Sequence, residues 1–159
     1  MTIQEASYLR SQGRHEEARA LLVQLCHQSP LDAELNYATA CVHDFLGLEA
    51  HAVPYYLAAL AGNLSTENRR GAFLGLGSTY RILGQYAESH KALVAGMKEF
   101  PQARELQVFL AMTLYNLGDA KAAVQSLLIL LAQTSCDAGI AEYKRAIELY
   151  AGDIDRVWP

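Results

Sequence analysis

The sequence predicts an all-α protein, an α-solenoid of about four helix–turn–helix units followed by a C-terminal capping helix. Three observations carry this reading. Gly13, Gly47, Gly84 and Gly118 recur at steps of 34, 37 and 34 residues. That is the period of a helical unit that cannot bury its apolar face alone and must stack on its neighbours. A small residue stands at a fixed distance before each glycine, Ala6, Ala40, Gly77 and Ala111, and another after it, Ala18, Ala52, Ser89 and Ala123. A large apolar residue follows one turn later, Leu22, Tyr56, Leu93 and Leu127. Small side chains are needed where two helices cross closely, because a larger one would push them apart.

The third unit shows the pattern most fully. Phe73, Leu76, Gly77 and Tyr80 lie on its first helix, Gly84 closes that helix, Ser89 and Leu93 lie on the second, and Pro101 ends it. Transferring these offsets places helices at about 2–12, 15–28, 31–46, 49–61, 69–83, 86–99, 102–117 and 120–133. A ninth helix, about 138–150, carries Ile140, Tyr143, Ile147 and Tyr150 at helical spacing. The units run over about 1–32, 33–66, 70–103 and 104–137 of a single domain, 1–159. The first is expected to be truncated, with Met1 inside its opening helix. The second carries Asn36 and Thr39 where the third has Phe73 and Leu76, so looser packing is expected there. Three extra residues in the stretch 62–70 are expected to lengthen a loop, with Ser65 or Thr66 as the next N-cap. Pro54 fits only an early turn of the fourth helix, since deep in a helix it would cost about 3 kcal/mol.

Composition bounds the function. Apolar residues make up 52% of the chain and charged residues 19%, which suits a globular fold. A formal net charge of -4 disfavours nucleic acid as the main partner, because phosphate binding needs clustered cations. Arg69 and Arg70 read as solvated charges at a helix start. No basic region followed by an apolar core opens the chain, and no apolar run approaches the roughly twenty residues of a membrane span, so a cytoplasmic protein with no membrane partner is expected. Cys26, Cys41 and Cys136 are odd in number and widely spaced, which argues against a disulfide framework.

Catalytic chemistry is thinly supplied. Cys41 and His43 are two apart and point different ways on a helix. His43 takes the slot of Tyr80 and Leu114 and reads as a packing residue. Cys26-His27 lacks the second ligand pair that zinc would want. His15, His51 and His90 read as solvated. The Gly-Leu-Gly at 75–77 lies within a helix and follows no strand, so it is no phosphate loop. No enzyme, metal or cofactor is expected.

Binding is better supported. The first helix of each unit should line the concave face of the stack, with the residue after each small site at its centre. The expected groove is Tyr37, Cys41, Asp44 and Phe45 from the second unit, Leu74, Ser78, Arg81 and Ile82 from the third, and Val108, Met112, Tyr115 and Asn116 from the fourth. It is apolar and aromatic, with one acid and one arginine, and a surface of that kind marks an interface. The C-terminal helix, a second copy of the chain or a separate peptide could each fill it.

The strings 75–86, 109–118 and 143–151 resemble a group of small bacterial tetratricopeptide repeat proteins of uncharacterised role. The resemblance extends over nearly the whole chain, including the Tyr-rich final helix and Trp158. It implies a stand-alone protein, protein–protein interaction and a homodimer, and it supplies no catalytic residue. Tetratricopeptide domains that clamp a C-terminal carboxylate use Lys, Asn and Arg at concave slots occupied here by Tyr37, Cys41, Leu74, Ser78, Val108 and Met112, so that mode is not expected. Similarity to secretion chaperones in length and repeat content implies an alternative, a chaperone or adaptor whose groove holds an extended client segment. An enzyme or metal protein is the remote alternative.

Overall fold

The computed structural model describes residues 2–157. Ten helices succeed one another, α1 (Ile3–Ser11), α2 (His15–Gln28), α3 (Ala33–Phe45), α4 (Glu49–Ala61), α5 (Thr66–Ile82), α6 (Tyr86–Glu99), α7 (Arg104–Asn116), α8 (Ala120–Thr134), α9 (Ala138–Glu142) and α10 (Lys144–Gly152). No strand occurs among the described residues. Each helix from α1 to α8 packs on the next, and α3, α5 and α7 also pack side by side. That second set of contacts makes α3, α5 and α7 a continuous row, each also packed on the helix that follows it.

The four periodic glycines turn each pair. Gly13, Gly47, Gly84 and Gly118 all have positive φ, 71–90°. The N–H of the following residue bonds a carbonyl five positions back, as in Leu48 N to His43 O at 2.9 Å and Gln85 N to Tyr80 O at 2.8 Å. This left-handed closure satisfies the orphan carbonyls at a helix end, and only glycine adopts it freely. The chain then reverses and lays the second helix on the first.

Close crossing follows from the small residues. Ala6, Ala18, Ala40, Ala52, Gly77, Ser89, Ala111 and Ala123 are all buried. At Gly77 a methyl group would stand 2.5 Å from Leu93 Cγ. Ser89 has an added use, since its hydroxyl donates to the Gly77 carbonyl at 2.7 Å and lies 2.9 Å from the Thr113 hydroxyl. One side chain thereby joins α5, α6 and α7.

Several expectations are corrected. Met1 lies outside the described residues, and α1 starts at Ile3 under a reciprocal cap between Thr2 and Glu5. Asn36 and Thr39 do not loosen the second unit. Both are buried, with Asn36 donating to the Pro30 and Asp32 carbonyls and Thr39 to that of Leu35. The extra residues between Gly47 and Gly84 lengthen α5 to 17 residues instead of forming a long loop. Ser65 is its N-cap, and Glu34 on α3 accepts from the Ser65 N–H and the Asn68 side chain. The ninth helix is two, α9 and α10, meeting at Tyr143. Arg69 and Arg70 are not simply solvated, since they pair with Glu99 and Glu105. Pro54 falls in the second turn of α4, which continues through it.

Gly84→Ala should lower the unfolding free energy by roughly 1–2 kcal/mol, the cost of left-handed backbone for an L-residue. The space around Gly84 is open, so no clash contributes. Urea denaturation checks this, and an unchanged midpoint would contradict the turn assignment.

Candidate functional site

The expected groove residues fall on α3, α5 and α7, but they divide by environment. Phe45, Ile82 and Tyr115 are 61%, 58% and 67% exposed, and Val108 is also exposed. Tyr37, Cys41, Asp44, Leu74, Ser78, Arg81, Met112 and Asn116 are half-buried. Leu74 packs against the core around Phe73 and Leu93, so it serves packing as much as surface. Tyr37 lies over Gly71 and Tyr56 over Gly75, where in each case a methyl group would collide with the ring or its hydroxyl. Gly71 and Gly75 of α5 thus leave room for two tyrosines against that helix. His15 is not a free surface residue, because its ring sits 4.2 Å from that of Phe45.

Asp44 is the centre of a polar network. Its carboxylate accepts from the Tyr56 hydroxyl at 2.9 Å and the Thr79 hydroxyl at 2.7 Å, which ties α3 to α4 and α5. The Tyr56 hydroxyl also lies 3.9 Å from Cys41 Sγ. Burial raises the Asp44 carboxyl above the usual range, and the two hydroxyls oppose the shift. Burial raises the Tyr56 hydroxyl and the Cys41 thiol as well, so neither ionises readily. A poorly ionised thiol is a poor nucleophile.

Arg81 holds the corresponding place on α5. Its Nη1 donates to Asn116 Oδ1 at 3.4 Å, a long bond, and its Nε is shut from solvent with no acceptor. Arg81, Met112, Tyr115 and Asn116 converge on one depression of about 370 Å³. Ala111 from α7 and Ala123, Val124 and Leu127 from α8 complete its wall. Sequence reasoning left these α8 residues out of the site. The signal for them was positional. Leu22, Tyr56 and Leu93 are 1%, 3% and 0% exposed because the next unit's first helix covers them, whereas Leu127 is 41% exposed.

Among the described residues no further repeat helix follows to cover Leu127. Instead α10 packs along α8, fastened where Gln125 donates to the Ala151 and Gly152 carbonyls and Lys121 pairs with Asp153 and Asp155. Val124 and Leu131 are exposed beside it. The expected cap therefore seals only part of that end. Trp158 lies outside the described residues.

His43 is buried, stacked on Tyr55 and near His51, with Nδ1 donating to the Thr39 carbonyl at 2.8 Å. Burial lowers its pKa, so the ring is neutral and packs, as its slot suggested. Cys26, Cys41 and Cys136 are free thiols. Among the described residues no group of three His, Cys, Asp or Glu could hold a metal ion. No described helix is long and apolar enough to cross a membrane.

The family model described as tetratrico peptide repeat matches residues 1–38 and 33–154. The chain belongs to that family. No curated protein matches it. Repeats of this kind are typically non-enzymatic modules for protein–protein interaction, and their stacked helix pairs agree with the architecture above.

Because the folded pKa of Asp44 is raised, the native state binds more protons than the unfolded chain between the two pKa values, so this group's contribution to stability falls as pH rises through that window. Asp44→Asn keeps an acceptor for Tyr56 and Thr79 and removes the titration. Its stability relative to wild type should increase from acid pH to neutral and then level off. Thermal unfolding across pH measures this, and parallel profiles would contradict it.

Proposed function

We propose that this protein is a non-enzymatic interaction scaffold in which the row of α3, α5 and α7 binds a protein or peptide partner. The observation that carries the reading is the row itself. Phe45, Ile82, Val108 and Tyr115 hold large apolar side chains in water along three adjacent helices, beside an apolar hollow with few polar groups at its edge. Apolar area exposed in that way is costly unless something covers it. Self-association is part of the proposal, as a homodimer. It is supported by Val124, Leu127 and Leu131, an uncharged stripe along α8 left open at the C-terminal end. A second reading is an adaptor or chaperone holding an extended client segment, and the elongated row across three helices favours it over a compact ligand.

The two surfaces meet at Val124 and Leu127, which also wall the hollow, so each is tested by its own readout. Tyr115→Ala and Leu74→Ala should each weaken capture of an immobilised library of extended peptides by about 5- to 50-fold, the loss of a well-buried interface anchor. Retained capture by both variants would remove the groove assignment. Light scattering of the purified chain should give twice the 17.5 kDa chain mass. Leu127→Glu should return it to a single chain with helicity unchanged. A wild-type mass of one chain at high concentration would count against the homodimer.

A further inference from the structure

Asp44 and Arg81 hold equivalent places on α3 and α5, and neither has a counter-ion among the described residues. Among the described residues no cation lies within ion-pair distance of Asp44, and no carboxylate within that distance of Arg81. The hydroxyls of Tyr56 and Thr79 orient the Asp44 carboxylate without neutralising it. Arg81 has one long bond to Asn116 and a shielded Nε with no acceptor. Charges half-withdrawn from water cost free energy, and an opposite charge brought from outside offsets that cost. Next along the row comes the apolar depression, which begins at Arg81 and ends at Leu127.

The order along the row is therefore acid, base, apolar hollow. Packed helix axes lie about 8–10 Å apart, which sets the step from Asp44 to Arg81, and the hollow extends from Arg81 across α7 to α8. We propose that this face recognises a partner segment carrying a base, an acid and an apolar side chain in that order. The base meets Asp44, the carboxylate meets Arg81 and Asn116, and the apolar group enters the hollow. The proposal rests on the row being a binding surface and names what that surface reads.

Polyproline rods match the geometry, since residues three apart share one edge at a step of about 9 Å. The probes are end-capped, fluorescent Lys-Pro-Pro-Glu-Pro-Pro-Leu and its charge-swapped twin Glu-Pro-Pro-Lys-Pro-Pro-Leu, each also made with the chain direction reversed. Titrated with the full chain, the better base–acid–apolar rod should bind at least about 10-fold more tightly than the twin of the same direction, a difference of about 1.4 kcal/mol. The preference should shrink in 1 M salt, where screening reaches within about 3 Å. Asp44→Asn and Arg81→Gln should each bring the two rods to within about threefold, with the helix content of the wild type retained. Equal affinities, a reversed preference, or variants that keep the preference would overturn the proposal. Failure of every rod while the extended-peptide library is still captured would overturn the charge order and leave the binding surface standing. Failure of both would overturn both.

Discussion

Everything in this fold depends on how closely paired helices approach. Eight small residues mark the crossings, and all are buried. Where the site is Gly77, even a methyl group has no room against Leu93. Close approach brings the large residue of each second helix, Leu22, Tyr56 or Leu93, under the next unit, so one short contact propagates along the stack. The glycines at each turn reverse the chain without strain and bring the pairs into register. Neither feature suffices alone, since a turn without the small sites would give splayed helices, and small sites without the turn would have no partner.

The same spacing shapes the surface. Because α3, α5 and α7 lie side by side, equivalent positions in successive units become neighbours. A residue type repeated at one slot would give a uniform stripe. Here the slot changes from Asp44 to Arg81 to Tyr115, so the row varies in chemistry along its length. Tyr56 can reach Asp44 because Gly75 carries no side chain to block it, and Gly71 leaves the same room for Tyr37. Backbone packing and the chemistry of this face are therefore set by the same few residues of α5.

Much of this was legible in the sequence. The period fixed the eight paired helices, and α2, α4 and α6 begin and end where the offsets placed them. Burial of Asn36 and Thr39 was not legible, because their polar groups are satisfied by the Pro30, Asp32 and Leu35 carbonyls, and periodicity carries no hydrogen-bond information. The added turn of α5 was missed because polar residues at 65–70 look alike in a loop and in a helix start. The role of α8 was missed for a different reason. Leu127 satisfies the repeat pattern, but the pattern does not say that it stays exposed among the described residues at the last unit.

The most direct measurement compares one substitution at a crossing with the same substitution away from it. Ala40 is fully buried where α3 meets α4, and Ala87 is exposed on α6. Ala40→Leu should lower the unfolding free energy by about 1–3 kcal/mol or more through overpacking. Ala87→Leu should change it by no more than about 0.5 kcal/mol. Equal shifts of the two urea midpoints would contradict the claim that close helix crossings hold this stack together.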